Sequence, residues 1–147
     1  MSEDKMILHC SPTLRGIKAG SIFTASYTSK NEFEKDVERA NLKFNKTQIR
    51  FSALKYSKGK GIVYVYRPSL LLKDISKPES IDILSTNGYK SYDCKSCIDR
   101  LIERLYNSSE FPHEIGLFLG YPPEDVKGFI ENQAKKCKYA DYWKVYG

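Results

Sequence analysis

The sequence predicts a single α+β domain over residues 1–147: a small, mainly antiparallel sheet (β-α-β-β) from the first half, with helices from the second half packed on it. Three observations predict it. Residues 61–67, GIVYVYR, are dense in β-branched and aromatic side chains, the composition of a strand. Residues 47–56 alternate apolar Ile49, Phe51 and Ala53 with polar neighbours, and SKGKG joins them to the first run as a hairpin. Beyond Pro68 strand signals give out until the last residues, and helix caps and helical periodicities take over.

The elements follow in order. Residues 6–10, MILHC, read as a strand or extended lead-in. Ser11-Pro12 reads as a cap and first turn for a short helix over 12–19, ended by Gly20. Residues 21–27, SIFTASY, have strand composition. Asn31 is placed to cap a helix whose Phe33, Val37, Ala40 and Phe44 share one face. After the hairpin, residues 69–74 form a short helix. A second runs from 76 to about 86, where Asn87-Gly88 stops it, and Asp93 caps a longer one over 94–106.

Residues 111–131 then read as helix, sharp stop, helix. Pro112 suits a first turn, Gly120 a stop, and Tyr121-Pro122-Pro123 cannot continue a helix because proline lacks a donor and clashes with the preceding turn. Pro123 opens the next helix, with Val126, Phe129 and Ile130 on one face. The plain reading of this corner is packing that closes a core. The functional readings are a nucleic-acid or protein docking surface, or part of a site built on His113 and Glu114.

Composition narrows the function classes. No apolar run approaches the roughly 20 residues a membrane span needs, and residues 1–10, MSEDKMILHC, lack a signal-peptide core, so the expected place is the cytoplasm. The net charge of +6 permits a polyanionic partner, but the lysines are scattered like a solvated surface. A DNA-reading corner is disfavoured, because helix 124–131 carries Glu124, Asp125 and Glu131 against the single Lys127. Four cysteines in a cytosolic chain point to free thiols, metal ligands or redox chemistry rather than structural disulfides.

The chemically capable residues are few. Cys94 and Cys97 form a C-x-x-C pair after a helix cap, where a helix N-terminus lowers a thiol's pKa. They also share a face with Ile98, Leu101 and Leu105, which favours burial. His9 and Cys10 are adjacent at the edge of a helix start, and the plain reading is a packed lead-in. His9, Cys10, His113 and Cys137 match a metal set in count and type, with iron or zinc as the metal, if the fold brings them together. The same Cys and His residues would serve acid–base or nucleophilic chemistry, with Glu114 orienting a histidine or acting as base and Tyr121 lining the pocket. The aromatic tail with Tyr139, Tyr142, Trp143 and Tyr146 suits stacking on a flat ligand, though sealing the core is the commoner use.

Four blocks carry a resemblance: HCSPTLRGIKAGSIF (9–23), YRPSLL (66–71), FPHEIGLFLGYPPEDVKGFIEN (111–132) and YWKVYG (142–147). Together they resemble the bacterial domain-of-unknown-function family 3793, found mainly in anaerobic Gram-positive bacteria. The resemblance spans nearly the whole chain and carries no established activity. It implies that His9-Cys10 and His113-Glu114 lie in signature blocks and that Gly120-Tyr121-Pro122 belongs to the family's helical corner. It also implies an association with iron and flavodoxin gene contexts, which is not a mechanism. The resemblance further implies that many relatives carry a second cysteine soon after the Cys137 position and continue past YWKVYG; here Ala140 stands near that place, which weakens a C-terminal metal pair.

Two functions follow as expectations. One is a cytosolic metal- or thiol-dependent, redox- or iron-related protein working through a His/Cys site. The other is a non-catalytic binding module whose corner over 112–132 and basic surface dock a protein or nucleic-acid partner.

Overall fold

The computed structural model describes residues 3–108 and 112–131. The fold is α+β, and the chain divides into two compact units, Met1–Leu70 and Leu71–Gly147.

The first unit is built on a three-stranded antiparallel sheet. Strands β1 (Gly20–Ser26), β2 (Arg50–Ser57) and β3 (Lys60–Tyr66) lie in the order β1-β3-β2, so the most apolar strand takes the centre. Lys58-Gly59 form a two-residue hairpin loop, both at positive φ (53° and 78°), the turn whose twist matches a β-ribbon. The register shifts between Ala53 and Lys55, and the extra residue, Leu54, is buried.

Helix α2 (Lys30–Lys43) is capped by Ser29, whose hydroxyl accepts from the Glu32 N–H, two residues before the expected Asn31. Its apolar stripe behaves as the spacing predicts. Phe33 and Val37 are buried and Ala40 and Phe44 pack at the edge, joining Phe23, Phe51, Val63 and Val65 of the sheet. Phe33 lies between Tyr27 and Tyr56, with ring centroids 5.1 and 6.0 Å away. From the same helix the Asn41 amide donates to the Phe51 carbonyl and accepts from the Phe51 N–H, both at 2.8 Å. On edge strand β2 the backbone groups of Phe51 are thus satisfied within the unit.

The N-terminal segment corrects the sequence reading. Residues 6–10 are not extended and no helix runs over 12–19. Helix α1 spans Glu3–Leu14 with Pro12 inside it, and Gly20 opens β1 instead of ending a helix. Met6, Cys10 and Leu14 recur at i, i+4 and i+8, one helical face, and all three pack on the sheet core. That face outweighs the start signal of Ser11-Pro12. Pro12 falls in the last turn, where the helix is about to end anyway. The chain leaves through Gly16 at φ 74°, and Arg67 closes the helix end by donating to the Thr13 and Leu14 carbonyls at 2.8 and 2.6 Å.

The helices after the sheet follow the sequence signals closely. They are α3 (Pro68–Ile75), α4 (Pro78–Thr86), α5 (Cys94–Asn107), α6 (Ile115–Phe118) and α7 (Pro123–Glu131). Asp93 caps α5 by accepting from the Ser96 N–H at 3.0 Å. Gly88 and Gly120 sit at φ 86°, stopping the chain where the sequence reading placed stops. Helix α6 is a single turn with Ile115, Leu117 and Phe118 buried, and α7, whose Val126 is buried, packs against α4 and α6. Among the described residues, no helix is long and apolar enough to cross a membrane.

Candidate functional site

Among the described residues of the second unit, one carboxylate is closed to water. Glu114 precedes α6 and is 1% exposed. An ionised carboxylate in such a place needs full pairing. Arg104, from the last turn of α5, supplies a two-pronged partner: its Nε donates to Oε2 and its Nη2 to Oε1, the latter at 3.1 Å. Tyr89 donates its hydroxyl to Oε2 at 3.0 Å. Burial, and then the Glu114 charge, push the Tyr89 phenol far up, so it stays a proton donor. Asn87, which ends α4, accepts from Arg104 Nη2 at 3.3 Å and donates to the Ile83 carbonyl at 2.8 Å. Tyr89 and Arg104 meet at this one acid, and Asn87 joins them through Arg104.

Above the pair lies a cavity of about 180 Å³ lined by Asn87, Arg104, Ser108, Pro112, His113, Glu114 and Ile130. His113 is half-buried, and its imidazole has no hydrogen-bond partner among the described residues. Glu114 does not orient it. That carboxylate is engaged by three hydrogen bonds, two from Arg104 and one from Tyr89. The ionisable group open to a ligand here is the imidazole. Tyr121, expected to line the pocket, is half-buried and is not among the described lining residues; its N–H donates to the Gly116 carbonyl at 2.9 Å.

His9 and Cys10 lie in the first unit, His113 and Glu114 in the second. Cys137, like the aromatic tail at 139–146, falls outside the described residues. Among the described residues, no group of three or more His, Cys, Asp or Glu side chains is arranged to hold a metal ion.

The thiols differ from the expectation of an activated cysteine. Cys10 sits inside α1, not at a helix start, and is fully buried. Burial pushes it up to about 12, with the Lys18 charge opposing only in part. Cys97 is also fully buried, donates to the Ser91 carbonyl at 3.3 Å, and is pushed up to about 12 by burial and then by the Asp93 charge. Cys94, half-buried at the first turn of α5, is raised by the same two causes, which outweigh the helix N-terminus.

This has a testable sign. The native state keeps both buried thiols protonated to about pH 12, whereas the unfolded chain ionises them near 9.0. Between those values the unfolded state binds fewer protons, so native stability is full below pH 9 and falls as pH rises. The loss is up to about 1.4 kcal/mol per pH unit for each thiol. Urea midpoints compared at pH 8 and 10.5 check it, and a Cys10→Ala, Cys97→Ala variant is expected to lose that part of the slope. Native protein at pH 8 is expected to leave both thiols unmodified by iodoacetamide, and rapid labelling of either would contradict their burial.

Sequence reasoning found His113 and Glu114 but missed Arg104, Tyr89 and Asn87. Arg104 reads there as one of several surface charges on a helix, and nothing local ties it to an acid ten residues on. No curated protein and no solved structure shows a significant match to the chain. Residues 6–147 match the family described as "Protein of unknown function (DUF3793)", and the chain belongs to that family.

Proposed function

We propose that the protein is a cytosolic binding module for a small polar molecule, held in the cavity at the α5–α6–α7 corner with His113 as the group that engages it. The observation that carries this reading is the half-buried imidazole, without a hydrogen-bond partner among the described residues, set beside a carboxylate held by Arg104 and Tyr89. Arg104 and Glu114 neutralise one another, so the cavity has little net charge. Its polar wall is the Asn87 amide and the imidazole, and its apolar wall is Pro112 and Ile130. A ligand with one hydrogen-bonding edge and one apolar edge fits that lining. A buried ion pair is weak support for stability alone, and rigid support for a neighbouring group is a use that fits it here. Cys10, Cys94 and Cys97 form no disulfide among the described residues, which agrees with a reducing compartment. Exposed Glu124 and Asp125 on α7 argue against a nucleic acid on this corner.

The test is a nuclear magnetic resonance screen of small polar fragments against the whole protein and a His113→Ala variant. Support is a set of fragments that shifts the Asn87, Ser108 and His113 amides and loses affinity at least tenfold in the variant. The reading fails if no fragment moves those amides. It also fails if anaerobically purified protein carries near-stoichiometric iron or zinc that a His113→Ala, Cys10→Ala variant loses. That result would instead establish the metal site of His9, Cys10, His113 and Cys137.

A further inference from the structure

A second cavity, of about 320 Å³, lies in the first unit and is lined by Thr47, Gln48, Arg50, Pro68 and Ser69. Pro68 and Ser69 come from the YRPSLL block, which the site above does not use. Among the described residues, no acid lines this cavity, Arg50 is its only charged lining residue, and Arg50 has no carboxylate partner. The guanidinium is nonetheless fixed in place. Its Nη1 donates to the Thr47 carbonyl at 3.0 Å and to the Ile49 carbonyl at 2.8 Å. Thr47 is itself pinned: its hydroxyl donates to the Phe44 carbonyl at 2.7 Å and accepts from the Ile49 N–H at 3.1 Å. The Arg50 Nε and Nη2 groups, the Gln48 amide and the Ser69 hydroxyl have no hydrogen-bond partners among the described residues.

We propose that this cavity is an anion site for a small soluble phosphate, with the Arg50 guanidinium as its charged clamp and Gln48 and Ser69 as neutral donors. A held guanidinium presents a planar fork of N–H groups that matches phosphate oxygens, and holding it beforehand reduces the entropy lost on binding. Among the described residues, the positive charge of Arg50 and the lack of a carboxylate in the lining distinguish this cavity from the one beside Glu114, where Arg104 is paired.

The test is a titration of the full chain with inorganic phosphate, at ionic strength held constant with chloride, followed by amide and Arg50 Nε–H resonances. The expected result is saturable shifts at Gln48, Arg50 and Ser69, with Asn87 and His113 unmoved. Gln48 is exposed, so Gln48→Glu tests the site without disturbing packing. It is expected to weaken phosphate binding at least tenfold while leaving the thermal midpoint unchanged. Arg50→Gln is expected to abolish binding, and if that variant fails to fold, Gln48→Glu decides. Shifts that do not saturate, equal shifts with chloride alone, or full affinity in Gln48→Glu would overturn the proposal. Because the probes report on different residues, this outcome is independent of the ligand reading for the His113 cavity.

Discussion

Glu114→Ala is expected to destabilise the protein by about 3 kcal/mol, because removing one member of a buried ion pair leaves its partners without compensation. Arg104 loses both prongs of its fork, and the Tyr89 hydroxyl is left buried without an acceptor. The Arg104 side chain is 30% exposed and recovers some hydration, which holds the loss to the lower part of the range for buried pairs. Glu114→Gln keeps the shape and one acceptor, and is expected to cost about 2 kcal/mol. Urea unfolding followed by circular dichroism checks both values. The effect also has a direction in space. Tyr89, in the loop after α4, and Arg104 of α5 are held by this acid, and Asn87 at the end of α4 by Arg104, so hydrogen-exchange protection is expected to fall there before it falls in β3. A Glu114→Ala loss under 1 kcal/mol would mean that the carboxylate is not the tie between these segments.

Phe33→Ala is expected to cost about 4 kcal/mol, the range for a fully buried aromatic ring whose site cannot collapse. Phe33 is 1% exposed, stacked on Tyr56 and tilted against Tyr27. Its ring also occupies the space above Gly61 in β3, where an added Cβ would overlap the ring carbons. Gly61→Ala alone is therefore expected to cost about 2 kcal/mol through overpacking, even though alanine suits a strand backbone better than glycine does. In the Phe33→Ala background that clash is gone. The cost of Gly61→Ala is then expected to fall to about zero or reverse, giving a coupling of about 2 kcal/mol in a double-mutant cycle. Simple additivity of the two changes, within about 0.5 kcal/mol, would refute the claim that glycine stands at 61 to admit the ring.

The strength of these couplings explains what could be read early. Within α2, the stripe of Phe33, Val37, Ala40 and Phe44 is a local period, and the structure buries or half-buries all four. The β2–β3 hairpin, the Asp93 cap and the Gly88 and Gly120 stops are also local chemistry, fixed by residues within a turn of one another. At the N-terminus, local signals misled. Ser11-Pro12 is a sound helix start in isolation, but a helix over Glu3–Leu14 places Met6, Cys10 and Leu14 on the sheet core. Burying that face outweighs the misplaced proline.

The sequence by itself determined the α+β class, the sheet's strands, the helical corner and the family. It also singled out His113 and Glu114. Only the tertiary structure decided their roles. The acid is committed to Arg104 and Tyr89, the imidazole is left facing a cavity, and Cys10 and Cys97 are buried and held protonated. The reason is physical. Helix periods, caps and turns depend on neighbours in the chain, whereas pairing, desolvation and pKa depend on neighbours in space, which a local pattern does not encode.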